Sequence, residues 1–262
     1  MTRNLHTALI TGASSGIGEA FAGALAARGH DLILVARSED KLRTLAKQLA
    51  EVHSRRVEVI AADLTHAGAA DKVFAGAEAL GMPVDLLVNN AGFGSVGSFE
   101  KLEGRRERDE VLLNCAAVVD MCHAFVPGMI ARGKGGVINI ASMAAFQPLP
   151  YMSVYAATKA FVLSFSRGLR GEVKSRGIDV LAVCPGPVDT PFFEATGNVR
   201  LRSTVPKATM MTVDAVVRAS LKAYDAGRSV VVPGAANKLV AASAQMMPHD
   251  ALTAVTAKFM RR

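Results

Sequence analysis

Between a short apolar run, Thr7 to Thr11, and an Ala- and Leu-rich helical pattern, Glu19 to Arg28, lies the loop Gly12-Ala-Ser-Ser-Gly16-Ile-Gly18. Strand, glycine loop and helix in that order restrict the fold strongly, because the helix then points its first free amide N–H groups at whatever sits above the strand. Gly12 is expected to allow the tight turn. Gly16 should let backbone approach a pyrophosphate, and Gly18 should let the helix pack closely on the strand.

The rest of the chain repeats the theme. Asp31–Ala36 is an unbroken apolar run, as expected of a parallel strand covered on both faces, and Ser38 reads as the N-cap of a helix to His53. Further strands are expected at Arg56–Ala61, Val84–Val88, Gly136–Ser142, Ile178–Cys184 and Ser229–Val232. Helical patterns run from near Thr65 to Gly81, from Arg105 to Arg132, from Ser153 to Gly177 and from Val213 to Ala226. Seven strands alternating with helices predict an α/β fold, a doubly wound parallel sheet in one domain spanning residues 1–262. Within it, residues 187–212 read as a flap over the substrate, and residues 235–262 as a C-terminal helical tail divided at Pro248.

The ends of the strands carry the chemistry-bearing residues. After the second strand Ala36 stands where an acid would hold a ribose 2′-hydroxyl, and Arg37 follows it. A missing acid beside a base fits a 2′-phosphate and hence NADP, although an arginine at a strand end also snorkels without a ligand. Asp63 reads either as an acceptor for an adenine amino group or as a helix cap. Asn89-Asn90-Ala91-Gly92 closes the fourth strand. Asn114 interrupts a helix and is expected to face solvent or to bend the ladder around a water.

Tyr155 and Lys159 lie one turn apart on the same helix face. A cation about 4.5 Å from the phenol, at an effective dielectric of ~20, would favour the phenolate by ~3 to ~4 kcal/mol, or ~2 to ~3 pKa units. Tyr155 is therefore expected to be a usable acid or base.

Composition excludes several alternatives. The formal charge is +7, but the basic residues are scattered in short pairs such as Arg55-Arg56 and Arg105-Arg106, so no nucleic-acid stripe is expected. Cys115, Cys122 and Cys184 form no CxxC, and an odd number argues for reduced thiols, hence a cytoplasmic protein. No signal peptide, no transmembrane segment and no metal cluster are expected.

Thr11-Gly-x-x-x-Gly-x-Gly18, Asp63, Asn89-Asn-Ala-Gly92, Asn114, Ser142, Tyr155-x-x-x-Lys159, and Pro185-Gly186 with Thr190, in this order and spacing, resemble the short-chain dehydrogenase/reductase family from about Thr7 to Thr190. The resemblance implies a Rossmann fold and hydride transfer between NADP(H) and a carbonyl or secondary alcohol of an apolar substrate: a ketone, a 3-oxoacyl chain or a steroid-like molecule. It implies a catalytic tetrad of Asn114, Ser142, Tyr155 and Lys159. Tyr155 would move the proton, Ser142 would hold the substrate oxygen, Lys159 would lower the tyrosine pKa and hold the ribose, and Asn114 would keep a relay water.

The cofactor is expected on Gly12, Ser14, Ser15, Gly16, Ile17, Gly18, Arg37, Asp63, Leu64, Asn90, Ala91, Gly92, Tyr155, Lys159, Pro185, Gly186, Val188 and Thr190. Phe93, Met143, Gln147, Tyr151 and Phe192 are expected to line the substrate pocket, with Phe146, Met152 and Phe193 as further apolar candidates. A homodimer or homotetramer through the Asn114 and Tyr155 helices is also implied. The alternative is an NADP(H)-binding redox sensor or scaffold without turnover; an intact tetrad counts against it, since a pure binder needs neither Tyr155 nor Ser142.

Overall fold

A computed structural model of the chain describes residues 6–196, 202 and 205–260. Its strands are β1 (Thr7–Thr11), β2 (Asp31–Ala36), β3 (Val57–Ala61), β4 (Leu86–Asn89), β5 (Gly135–Ile140), β6 (Ile178–Val183) and β7 (Val230–Val231). They pair in parallel in the order β3-β2-β1-β4-β5-β6-β7. The expected doubly wound sheet of seven strands is thus present.

Period-two alternation divides each central strand between two cores. Ala8 and Ile10 of β1, with Leu32 and Leu34 of β2, join one cluster under α1 (Gly16–Ala27), α2 (Glu39–His53) and α8 (Val213–Asp225). Leu9, Ile33 and Val35 join the other, against α3 (Ala69–Ala79) and α5 (Ala117–Ala131). Apolar side chains on both faces explain why these strands read as continuous hydrophobic runs. With every strand pointing the same way, all carboxyl ends meet on one edge, and every candidate site residue sits on or beyond that edge.

Several boundaries differ from expectation. Ser38 precedes α2 but makes no side-chain cap bond. The third helix begins at Ala69, not near Thr65, because Asp63 Oδ1 accepts from the Thr65 N–H and hydroxyl in a local turn and Gly68, at φ 74°, then resets the chain. The expected Arg105–Arg132 helix is α4 (Gly104–Val111), a π turn (Leu112–Ala116) and α5. Over 104–131 this stretch is long and apolar enough to cross a membrane by length and composition only. Its apolar residues Met121, Phe125 and Met129 pack into the second core, which accounts for that composition.

α6 runs from Ser153 to Val173, and a 3₁₀ turn carries it to Gly177, whose φ of 82° ends it. Of the segment expected as a flap, residues 197–201, 203 and 204 lie outside the described residues. Its two ends meet where Val188 bridges Met211, and α7 (Phe192–Ala195) lies between. Beyond β7 follow α9 (Ala235–Met246) and α10 (His249–Met260).

Candidate active site

The loop after β1 is fixed by one threonine and one asparagine. Thr11 Oγ1 accepts from the N–H groups of Asn90 and Ala91, both at 3.0 Å, while Asn90 Nδ2 donates to the carbonyls of Thr11 and Gly12 at 2.9 and 3.2 Å. These bonds tie the loop to the carboxyl end of β4. Gly12 and Gly16 both hold positive φ, 66° and 58°, which favours glycine. A Cβ on Gly18 would stand 2.3 Å from the Gly12 carbonyl oxygen, so helix and strand approach too closely for any side chain.

Ser15 precedes α1 in an extended conformation without a side-chain cap bond, so the first-turn amides of the helix face the cleft above the loop. That is a cradle for an anionic oxygen. Beside it Arg37 extends with its side chain 77% exposed, 3.9 Å from Asp63 Oδ2. Burial alone would raise the Asp63 pKa, but the Thr65 hydrogen bonds and the Arg37 charge bring it below the usual range.

At the other end of the cleft, Ser142 follows β5 and Tyr155 stands in the first turn of α6, both on the cavity wall, with the Ser142 hydroxyl near enough to favour the phenolate. Ser142 Oγ also accepts from the Ala144 N–H at 3.1 Å. Lys159, 5% exposed, donates to the Ile140 carbonyl at 2.9 Å, and its Nζ lies 5.7 Å from the centre of the Tyr155 ring.

The electrostatics depart from the sequence expectation. Burial pushes the Tyr155 phenol up to about 12, opposed by the Ser142 hydroxyl and reinforced by the Glu110 carboxyl. Burial brings Lys159 down to about 8. Burial is the largest influence on both groups and opposes the charged form of each, so the expected lowering of Tyr155 by ~2 to ~3 units is not found in the chain alone. The ammonium is directed at a backbone carbonyl, and that is why it does less for the phenolate than sequence spacing suggests.

Asn114 does not line the cleft. It occupies the π turn, 1% exposed, where Nδ2 donates to the Phe93 carbonyl and to Thr158 Oγ1 at 2.9 and 3.0 Å and Oδ1 accepts from the Phe93 N–H at 3.2 Å. The bent ladder is thus used to bolt the loop after β4 to α6. A Cβ on Gly92 would lie 2.8 Å from Asn114 Oδ1 and 3.3 Å from Lys159 Nζ, so the two side chains converge behind that glycine.

A continuous cavity of about 1100 Å³ runs from Arg37 to Phe192. Its wall brings together Gly12, Ser14, Ser15, Gly16, Ile17, Arg37, Asp63, Leu64, Asn90, Ala91, Gly92, Ser142, Tyr155, Lys159, Pro185, Gly186, Val188 and Thr190. Phe93, Met143, Gln147, Phe192, Met152 and Phe193 complete its apolar end, where the Phe192 ring centre is 5.4 Å from that of Tyr155. Three expectations need correction. Gly18 and Asn114 sit behind the wall, for the packing reasons given, and Tyr151, at φ 67° with its carbonyl accepting from the Gly97 N–H, is not among the residues of the wall. Phe146 packs beside Ala141 and Val162 instead.

Several supporting residues escaped the sequence reading. Gly94 admits the Tyr155 ring, since a Cβ there would lie 2.8 Å from Tyr155 Cδ2. Asn139 accepts from Asn89 Nδ2 and donates to Ser166 Oγ, both at 2.9 Å, a buried polar chain from β4 through β5 to α6. A lone Asn within Val137-Ile-Asn-Ile140 was the available signal. Among the described residues no group of His, Cys, Asp or Glu could hold a metal.

The profile of the short chain dehydrogenase family matches residues 6–200. Very-long-chain 3-oxoacyl-CoA reductase of Anas platyrhynchos is 39% identical over 189 residues, covering 70% of this chain and 60% of that protein. The chain thus spans about 60% of the length of that curated relative. A short-chain dehydrogenase from Sphingobium yanoikuyae, solved in complex with NADPH, superimposes with a TM-score of 0.82 at 36% identity, over 91% of this chain and 92% of that one. The bulky-bulky ketone specific alcohol dehydrogenase from Comamonas testosteroni gives 0.78 at 35% identity over 93% of each chain. A match of that extent, on a cleft built as described, means that this chain belongs to the short chain dehydrogenase family.

Proposed function

We propose that the protein is an NADP(H)-dependent oxidoreductase acting on a carbonyl or secondary alcohol within a bulky apolar substrate, with Tyr155 as general acid/base. The observation that carries this reading is that Ser142 and Tyr155 line the apolar end of a cleft whose other end is a glycine cradle flanked by Arg37. When bound, the nicotinamide supplies or accepts the hydride.

The chain's own residues do the rest. The amides from Gly16 onward and the bent Gly12 backbone hold the pyrophosphate, and Arg37 holds the 2′-phosphate. Ser142 Oγ and Tyr155 Oη hold the substrate oxygen; in reduction the Tyr155 proton passes to that oxygen, and in oxidation it returns. Lys159, between Ile140 and Tyr155, would hold the ribose hydroxyls, and Asn114 keeps Gly92, Phe93 and α6 in register. Phe93, Met143, Phe192 and Phe193 exclude water from the reacting carbon. Support for a bulky apolar substrate comes from the apolar lining at the Phe192 end and from the ketone-specific neighbour in Comamonas testosteroni. An acyl chain is the nearest variant, supported by the 3-oxoacyl-CoA reductase relative.

Fluorescence titration with NADPH and NADH on wild type and Arg37→Ala tests the cofactor half of the proposal. The wild type should prefer NADPH, and the variant should bind it roughly 10-fold or more weakly while NADH is little affected, as loss of a charge-assisted phosphate contact predicts. Equal affinity in wild type would make Arg37 a structural residue. A sensor or scaffold without turnover has less support, because it leaves the Ser142–Tyr155 pair without a use.

We further propose a homodimer or homotetramer through α4 and α6, supported by exposed Val111 and Phe161 on those helices. Cytoplasmic residence is also proposed, supported by three free cysteines.

A further inference from the structure

The turn after β6, the returning end of the flap and the C-terminal tail meet at one buried amide. Asn237, in the first turn of α9, is 1% exposed and is not part of the cavity wall. Its Nδ2 donates to the carbonyls of Thr209 and Pro233, both at 3.2 Å, which uses both N–H groups of the amide. Oδ1 is buried and has no hydrogen-bond partner among the described residues. A half-satisfied buried amide costs stability, so packing alone does not account for an asparagine here.

The same amide lies broadside on the Pro185–Gly186 turn. A Cβ on Gly186 would stand 2.6 Å from Asn237 Cγ, Nδ2 and Oδ1 alike. Gly186 does not have a positive φ, so it is the amide behind it, and not backbone torsion, that excludes a side chain. On its other flank the Pro185 carbonyl accepts from the Met143 N–H at 2.8 Å, which links the turn to the segment after Ser142.

Gly186 and Thr209 both line the cavity. The two segments pair next to them: the Met211 N–H donates to the Pro187 carbonyl and the Asp189 N–H to the Met211 carbonyl, both at 3.0 Å. Gly234, at φ 85°, lets Met211 sit against the start of α9, since a Cβ there would lie 2.9 Å from Met211 Sδ.

We propose that Asn237 is a positioning residue: it joins α9 to the backs of two cavity segments, the Pro185–Gly186 turn and the Thr209–Met211 end of the flap, and so holds that part of the cleft in shape for NADP(H). This rests on the oxidoreductase reading, which assigns the Pro185–Gly186 turn to the cofactor. The amide itself touches neither cofactor nor substrate; it acts through the backbone of the two segments.

The test uses Asn237→Leu, which keeps the branched shape and removes the donors, and Asn237→Asp, which sets a carboxylate against the two carbonyls. Hydrogen exchange of single amides is followed without cofactor, and NADPH affinity by fluorescence. In both variants the Asp189 and Met211 amides should exchange about 10-fold faster or more, the effect of losing two hydrogen bonds of ordinary net strength, while the amides of β1 and β4 keep their rates. NADPH should bind about 3-fold or more weakly, because the competent arrangement is less populated.

Unchanged exchange at Asp189 and Met211, or a rise spread equally over β1 and β4, would make Asn237 an ordinary core residue and overturn the proposal. Faster exchange with unaltered NADPH affinity would overturn it too. Should neither variant fold, wild type decides: NADPH should slow exchange at Asp189, Met211 and Lys238 together, Lys238 N–H donating to the Gly234 carbonyl at 3.0 Å in the first turn of α9. Protection that stops short of Lys238 would leave α9 uncoupled and overturn the proposal. Failure of the oxidoreductase reading is distinct: wild type would then reduce no ketone, while exchange and NADPH binding, which need no turnover, still report the link.

Discussion

Two buried groups give the stability of this chain a pH dependence of opposing signs. Burial first, and then the Arg28 charge, lowers the His30 pKa from its ordinary 6.5. Between the folded and unfolded values the unfolded chain binds the extra proton, so the His30 contribution is lost as pH falls below 6.5. Glu110 works the other way. Its carboxyl moves from an ordinary 4.5 to about 7, so between those values the folded state keeps a proton the unfolded chain has released, and stability falls as pH rises through that window. Glu110→Gln should therefore be more stable than wild type at pH 8 by up to ~3 kcal/mol, the equivalent of that shift, and nearly equal to it at pH 4.5. Urea unfolding at the two pH values checks this; equal differences at both would show that Glu110 is not held neutral in the fold. Neither residue stands out in the sequence. Glu110 is one of several acids in Arg105-Arg-Glu-Arg-Asp-Glu110, and only its burial among α4, Ser95 and α6 makes it different.

The π turn between α4 and α5 is the element whose form follows most directly from one side chain. Leu112–Ala116 departs from the α ladder where Asn114 turns inward to bond both the N–H and C=O of Phe93 and the hydroxyl of Thr158. Thr158 in turn donates to the Tyr155 carbonyl at 2.8 Å, so the turn, the loop after β4 and the first turns of α6 are one hydrogen-bonded unit. Asn114→Ala leaves buried backbone groups of Phe93 without partners and should cost about 2 to 4 kcal/mol of stability, together with a loss of cofactor affinity. Unchanged unfolding by urea would mean that the π turn is held by packing alone. A polar residue inside an apolar helix gave the position of the disturbance. Its direction, inward and away from solvent, was decided by the partners that α6 and the Phe93 loop supply.

For the molecule as a whole, the outer faces of α4 and α6 carry Val111 at 44% exposure and Phe161 at 42%, and the Phe161 and Phe165 rings stack at 6.0 Å and 3°. Exposed apolar side chains on two adjacent helices suit a self-complementary contact about a twofold axis. Light scattering at micromolar concentration should give an even multiple of the monomer mass for wild type and a smaller assembly for Phe161→Asp. A monomeric wild type would remove the proposed contact, and would leave the cleft, built wholly within one chain, unaffected.

Sequence alone determined the alternation of strands and helices, because period-two and period-3.6 patterns and glycines at the turns are local properties of the chain. It also determined which residues meet: parallel strands put all their carboxyl ends on one edge, so Gly12, Arg37, Asn90, Ser142 and Pro185 had to share a cleft. Tertiary structure decided what those residues are physically. Whether Tyr155 lies closer to a cation or to the cost of desolvation, whether Asn114 faces a ligand or a backbone loop, and whether Tyr151 faces the cleft all depend on neighbours distant in sequence. Burial, charge and hydrogen bonding act through space, and the spacing of residues along one helix does not carry that information.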